Sequence, residues 1–109
     1  MITTTSNIIS QNLTRLVIHE EIIMSVDNAF EDFTGFYKED VYKKSVSTVL
    51  NELLKMRVDV NGFKFGQQNG PYLMFTKNNE VKEIDIYVET RSDLDVIPKF
   101  GDIIFHLYT

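Results

Sequence analysis

The sequence predicts an α+β domain in which an N-terminal helical hairpin packs on a C-terminal antiparallel meander of four or five strands. Three observations lead there. Apolar residues recur at helical spacing as far as Met56, the period falls to two from Val58, and both prolines lie in the second half. A chain of 109 residues suits one core, so 1–109 reads as a single domain. Within it, 1–6 is expected to be flexible, 7–56 helical and 57–109 sheet.

The first element runs from about Asn7 to Phe33, with Ser6 or Ser10 as the cap. Its apolar residues form two stripes. Ile9, Leu13, Leu16, Val17 and Met24 make one; Ile18, Ile22, Val26, Ala29 and Phe33 make the other. At about 100° per residue the stripes lie on different sides of a helix, so each needs something to bury against. Leu13–Ile18 also reads as a strand, being rich in branched residues, and a break near Ser25 would give two helices. Length favours one helix.

The second element repeats Tyr42, Val46, Val49, Leu53 and Met56 at four, three, four and three. Glu39 and Asp40 fall in its expected first turn, and Lys55 and Arg57 in its last, as the helix dipole favours. Thr34-Gly35 separates the two helices by a short link, which predicts an antiparallel pair.

From Val58 to Phe65 the pattern alternates around Asn61-Gly62, the pair that suits a type I′ turn. Val60 is expected to face Phe63, and Val58 to face Phe65, in a hairpin. Gly66–Pro71 reads as a loop, Tyr72–Thr76 as a strand and Lys77–Glu80 as a turn. Val81–Glu89 and Asp102–Tyr108 complete the sheet, with Thr90–Gly101 between them.

Composition excludes several chemistries. There is no cysteine, hence no disulfide, thiolate metal site or cysteine nucleophile. Sixteen acids against eleven Lys and Arg give a net charge of −5, the wrong sign for gripping a phosphate backbone. The acids concentrate in 1–40 and 80–109, and the middle is mildly basic. No apolar run approaches the roughly 20 residues that span a bilayer, and no signal-peptide pattern opens the chain. A cytoplasmic location is expected.

Candidate sites mostly fail on spacing. His19-Glu20-Glu21 begins like a zinc-protease helix, but the second His position holds Ile23. A His19–His106 metal pair has no support in the sequence. Asp93 and Asp95 alternate like the start of a calcium loop without its glycine or terminal glutamate. Gly62, Gly66 and Gly70 lack the Lys-Ser/Thr of a phosphate loop. No catalytic residue, metal site or cofactor is therefore assigned.

What remains is a binding surface on the first element. Ile18, Ile22, Val26 and Phe33 supply an apolar stripe beside the acids Glu20, Asp27 and Glu31. Such a surface suits another protein with a basic face, or a second copy of the chain, and not nucleic acid or a membrane. The expected function is non-catalytic protein binding by a homodimer, in the form of an acidic inhibitor or immunity-type protein of viral or mobile-element origin. Two alternatives stand beside it. One is a small-molecule or enzymatic cup lined by Phe63, Phe65, Tyr72, Phe75 and Tyr87; the other is a structural part of an assembly.

Overall fold

The computed structural model describes residues 12–91 and 102–109. Strands β1 (Leu13–His19) and β2 (Ile22–Val26) come first, then three short helices: α1 (Ala29–Thr34), α2 (Lys38–Val41) and α3 (Val46–Thr48). A π-helical turn, Val49–Leu53, continues α3, and a 3₁₀ turn follows at Val60–Gly62. Strands β3 (Gln68–Phe75), β4 (Val81–Arg91) and β5 (Asp102–Tyr108) end the chain. All five strands form one antiparallel sheet in the order β2-β1-β5-β4-β3, so the last strand lies in the centre beside the first.

This overturns the N-terminal helical hairpin. Residues 13–26 form two strands, and the helical stripes do not survive in them: Leu16 of one stripe and Ile18 of the other share the inner face of β1. Thr14, Leu16 and Ile18 point inward and are buried, while Leu13, Arg15, Val17 and His19 alternate outward. The turn between β1 and β2 is Glu20-Glu21, both with positive φ (50° and 70°). Asn or Gly usually fills such a turn, and nothing in a Glu-Glu pair announces it. Pairing with β5 fixes the outcome: Leu16 lies opposite Phe105 and Ile18 opposite Ile103.

The expected second helix is broken into pieces. Only Glu39 and Asp40 sit in a first turn as expected, that of α2; extended Tyr42 ends the helix and Lys43 follows with φ 65°. The chain resumes at α3, where the Ser45 hydroxyl accepts from the Thr48 N–H, and the Leu54 N–H reaches back five residues to Val49 O (3.0 Å). Lys55 and Arg57 lie beyond the helix with φ 54° and 60°. They cap nothing.

The Val58–Phe65 hairpin is absent as well. Neither Asn61 nor Gly62 has the positive φ that a type I′ turn requires. The Asn51 side chain instead holds both backbone groups of Val58: it accepts from Val58 N (2.6 Å) and donates to Val58 O (2.9 Å). The Asp59 carboxylate accepts from Asn61 N and fixes the 3₁₀ turn, and Phe63 turns into the core. The third strand starts at Gln68, inside the stretch expected as a loop. The turn at 77–80, strand β4 and strand β5 fall where the sequence places them. The expected flexible start and the Asp93/Asp95 spacing lie outside the described residues.

One face of the sheet carries the core. Leu16, Ile18, Ile23, Met74, Ile84, Ile86, Val88, Phe105 and Leu107 meet Phe30, Phe33, Val41, Val46, Val49, Leu50, Leu54 and Phe63 from the helical connection. Burying a side chain of this size is worth about 1.5–3 kcal/mol. Lys82 ties helix to sheet: its Nζ lies over the Phe33 ring (4.8 Å) and donates to the Phe33 carbonyl (2.9 Å) at the C-terminal end of α1, where a cation is favoured. The opposite face of the sheet has no helix over it among the described residues.

Candidate interaction surface

Strand alternation sets the composition of that second face. Leu13, Arg15 and Val17 of β1 stand beside Tyr108, His106 and Ile104 of β5, which stand beside Asp85, Tyr87 and Glu89 of β4. Three rows follow from the register: Leu13, Tyr108 and Asp85; Arg15, His106 and Tyr87; and Val17, Ile104 and Glu89.

Val17 and Ile104 form the apolar floor of a shallow depression of about 510 Å³, walled by Arg15, Asp27, Glu89 and His106 and closed at one side by Ser25 and Val26. Asp27 is fixed by its neighbours. It accepts the Thr14 hydroxyl (2.6 Å) and the Arg15 N–H (3.1 Å), and Arg15 Nη1 lies 3.9 Å from it. On the opposite wall His106 Nε2 lies 2.8 Å from Glu89 Oε2, with the Tyr87 ring packed against the imidazole (5.7 Å between centroids). Among the described residues no hydroxyl hydrogen-bonds to His106.

Charge on this face is uneven. Among the described side chains, Glu83, Asp85, Glu89 and Asp102 occupy outward strand positions and join Asp27, against Arg15. Tyr108, beside Asp85, has its phenol raised above the ordinary 10.0 by desolvation and, second, by the Asp85 charge.

The residues expected to bind a partner are scattered by the fold. Ile18 and Phe33 are in the core. Ile22 is half-buried and bridges to Ser45, and Val26 ends β2 at the rim of the depression. Glu20 sits in the β1–β2 turn, seven residues from Asp27, and an extended chain separates them by roughly 20 Å. Glu31 accepts the Lys38 N–H (3.0 Å) and joins α1 to α2. Only Val26 and Asp27 meet. The five aromatics of the expected cup also separate: Phe63 packs inward on Tyr72 and Phe105, whereas Tyr87 stands on the other face of the sheet. His19 pairs with Asp102 (3.3 Å), and no three metal-ligating side chains gather among the described residues.

Sequence reasoning missed Arg15, Val17, Glu89, Ile104 and His106 as a group. Alternation in Val81–Glu89 marks Glu89 as outward, whereas the apolar run Ile103-Ile104-Phe105 hides Ile104, and only the β1–β5 and β4–β5 pairings bring the group together.

Strand order and the placement of the helical connection between β2 and β3 match a known architecture. The fold is PAS-like. The crystal structure of the PAS domain of an HTR-like protein from Haloarcula marismortui is similar to this chain with a TM-score of 0.59 at 11% identity, covering 97% of this chain and 91% of that one. No family model matches the chain, and no curated protein matches it. No described helix is long and apolar enough to cross a membrane.

Proposed function

We propose that this chain is a non-catalytic protein-binding domain and that it binds through the outer face of its PAS-like sheet. The observation that carries the reading is the apolar floor of Val17 and Ile104, which no described helix covers, inside a ring of fixed polar pairs. PAS domains commonly mediate protein interactions, which supports it. The partner's chemistry follows from the rim: an apolar projection fills the depression, and basic side chains meet Asp27, Glu89 and Asp102. Electrostatic complementarity of this kind raises the association rate and excludes acidic competitors. A second copy of the chain is the poorer occupant, because an isologous contact sets the same acids against each other. An acidic inhibitor of a basic-surfaced protein is the narrower form of the same reading.

The test is a photo-crosslinking residue placed at Ile104, with a control at exposed Asn78, in cells that express the chain. We expect crosslinks at position 104 only, to a protein whose capture falls when salt is raised from 0.1 M to 1 M, since screening shortens the Debye length from about 10 Å to about 3 Å. Crosslinks that link only two copies of the chain, or that appear equally at both positions, overturn the proposal.

A further inference from the structure

The open edge of β3 carries a second surface with the opposite charge. Beside it lies a cleft of about 750 Å³, lined by Asn51, Lys55, Met56, Arg57, Pro71, Tyr72, Leu73 and Phe75. It is closed at both ends. At one end the Phe75 N–H donates to Leu54 O (2.9 Å). At the other the Asn69 side chain accepts from Lys64 N (2.9 Å) and donates to Lys64 O (3.0 Å). Between these points no described residue pairs with the strand's outer backbone groups. Because the Phe75 N–H points away from β4, the alternation of an antiparallel ladder turns the N–H and C=O of Leu73 the same way. Leu73 itself is 55% exposed, and Val81 on the neighbouring strand is 54% exposed.

Two cations face this slot. Lys55 and Arg57 are exposed and make no ion pair among the described residues; neither Glu52 nor Asp59, the nearest acids in sequence, is bonded to them. Their placement is built. Both hold positive φ, while buried Met56 between them and the Asn51–Val58 hydrogen bonds pin the loop. A side chain other than glycine, Asn or Asp held in this region is uncommon and marks a conformation fixed by its surroundings. In a chain of net charge −5, two bases one residue apart that no described carboxylate pairs with are a site of positive charge.

We infer that this slot takes a short, extended, acidic peptide segment of another protein, which pairs its backbone with Leu73 and sets carboxylates against Lys55 and Arg57. The mode is strand addition: main-chain hydrogen bonds supply register and flanking side chains supply specificity. Pro71 and the bulge between Asn69 and Tyr72 keep the open stretch short, so a long strand or a second sheet edge is refused. The inference goes beyond the sheet-face reading and uses a separate surface, so its failure leaves that reading standing.

The probe is a blocked synthetic pentapeptide of alternating glutamate and valine, titrated into the isotopically labelled full chain with amide shifts as readout. We expect the Leu73 amide to shift together with those of Lys55 and Arg57. The variant Lys55→Asn/Arg57→Asn keeps residues that tolerate positive φ and should weaken binding at least tenfold. On the unmodified chain, an N-methyl group on the peptide's central residue and a rise in salt should each weaken binding severalfold. Equal binding of a lysine–valine pentapeptide, or titration that leaves the Leu73 amide unmoved, overturns the inference whether or not the variant folds.

Discussion

The two edges of the sheet are managed in opposite ways. At the β2 edge the chain seals itself: Ile23 N–H donates to Lys44 O (2.9 Å), Ile23 O accepts from Lys43 N (2.8 Å), and Glu21 O accepts from Val46 N (2.9 Å). Ile23 and Val46 are buried as a result. At the β3 edge the returning chain bonds to Phe75, leaves because Asn51 draws Val58 away, and among the described residues meets the edge again only where Lys64 bonds to the Asn69 side chain. An open edge is a template for other chains, and here it is blunted by a proline and a bulge rather than covered. The lesson is that a small sheet can hide one edge with its own connection and keep the other short enough to be selective.

The comparison breaks most visibly in stability. Ile23→Ala should cost about 2–5 kcal/mol, the range for truncating a fully buried isoleucine, whereas Leu73→Ala should stay within about 0.5 kcal/mol. Urea unfolding of the two variants measures both. Similar losses would mean that β3 is covered in solution.

A smaller effect is expected at the bulge that shortens the open edge. Gly70 has φ +126°, and a Cβ there would lie 2.9 Å from Asp85 Oδ1 and 3.2 Å from Ile84 O. Gly70→Ala should therefore cost about 1–3 kcal/mol as a strained backbone position. Asp85 Oδ1 is buried without a hydrogen-bond partner among the described residues, so Asp85→Ala removes both the clash and an unsatisfied oxygen. In the double variant the two costs should not add, and the thermal midpoint of Gly70→Ala/Asp85→Ala should exceed that of Gly70→Ala alone. Strict additivity would place the strain in the backbone alone.

The smallest effect concerns the same corner in alkali. Tyr108 is raised in the folded state, by desolvation first and by Asp85 second. Stability from keeping the phenol neutral is fully present below the ordinary value of 10.0 and is lost as pH rises through the higher folded value. Tyr108→Phe should flatten the alkaline limb of the stability curve and leave pH 7 unchanged. A limb of unchanged slope would assign it to another group.

Much of the second half was legible because its signals are local. Ile84, Ile86 and Val88 alternate against Asp85, Tyr87 and Glu89, and Asn79 supplies the positive φ of the preceding turn. Asn61-Gly62 misled for the converse reason: its strong turn signal was overruled by the Asn51 side chain seven residues before Val58. The candidate surface was barely legible. Asp27 and Val26 were singled out, but His106, Glu89 and Arg15 become neighbours only across strands. Lys55 and Arg57 read as helix-dipole partners, and their actual setting depends on a helix that ends early.

What the sequence determined by itself is the alternation of β4, the turn before it, the bounds of β5 and the acidic balance of the chain; Tyr42 and Phe65, expected in apolar stripes, are exposed. Which way residues 13–26 fold was left to tertiary structure. Their apolar spacing satisfies a helix and a two-faced strand equally, and helix formation needs only local bonds. A strand needs a partner, and that partner is β5, about ninety residues further along. Strand preference is largely a measure of such packing against neighbours. The hydrogen bonds from Leu13 to Ile18 and the burial of Leu16 against Phe105 decided between the two forms.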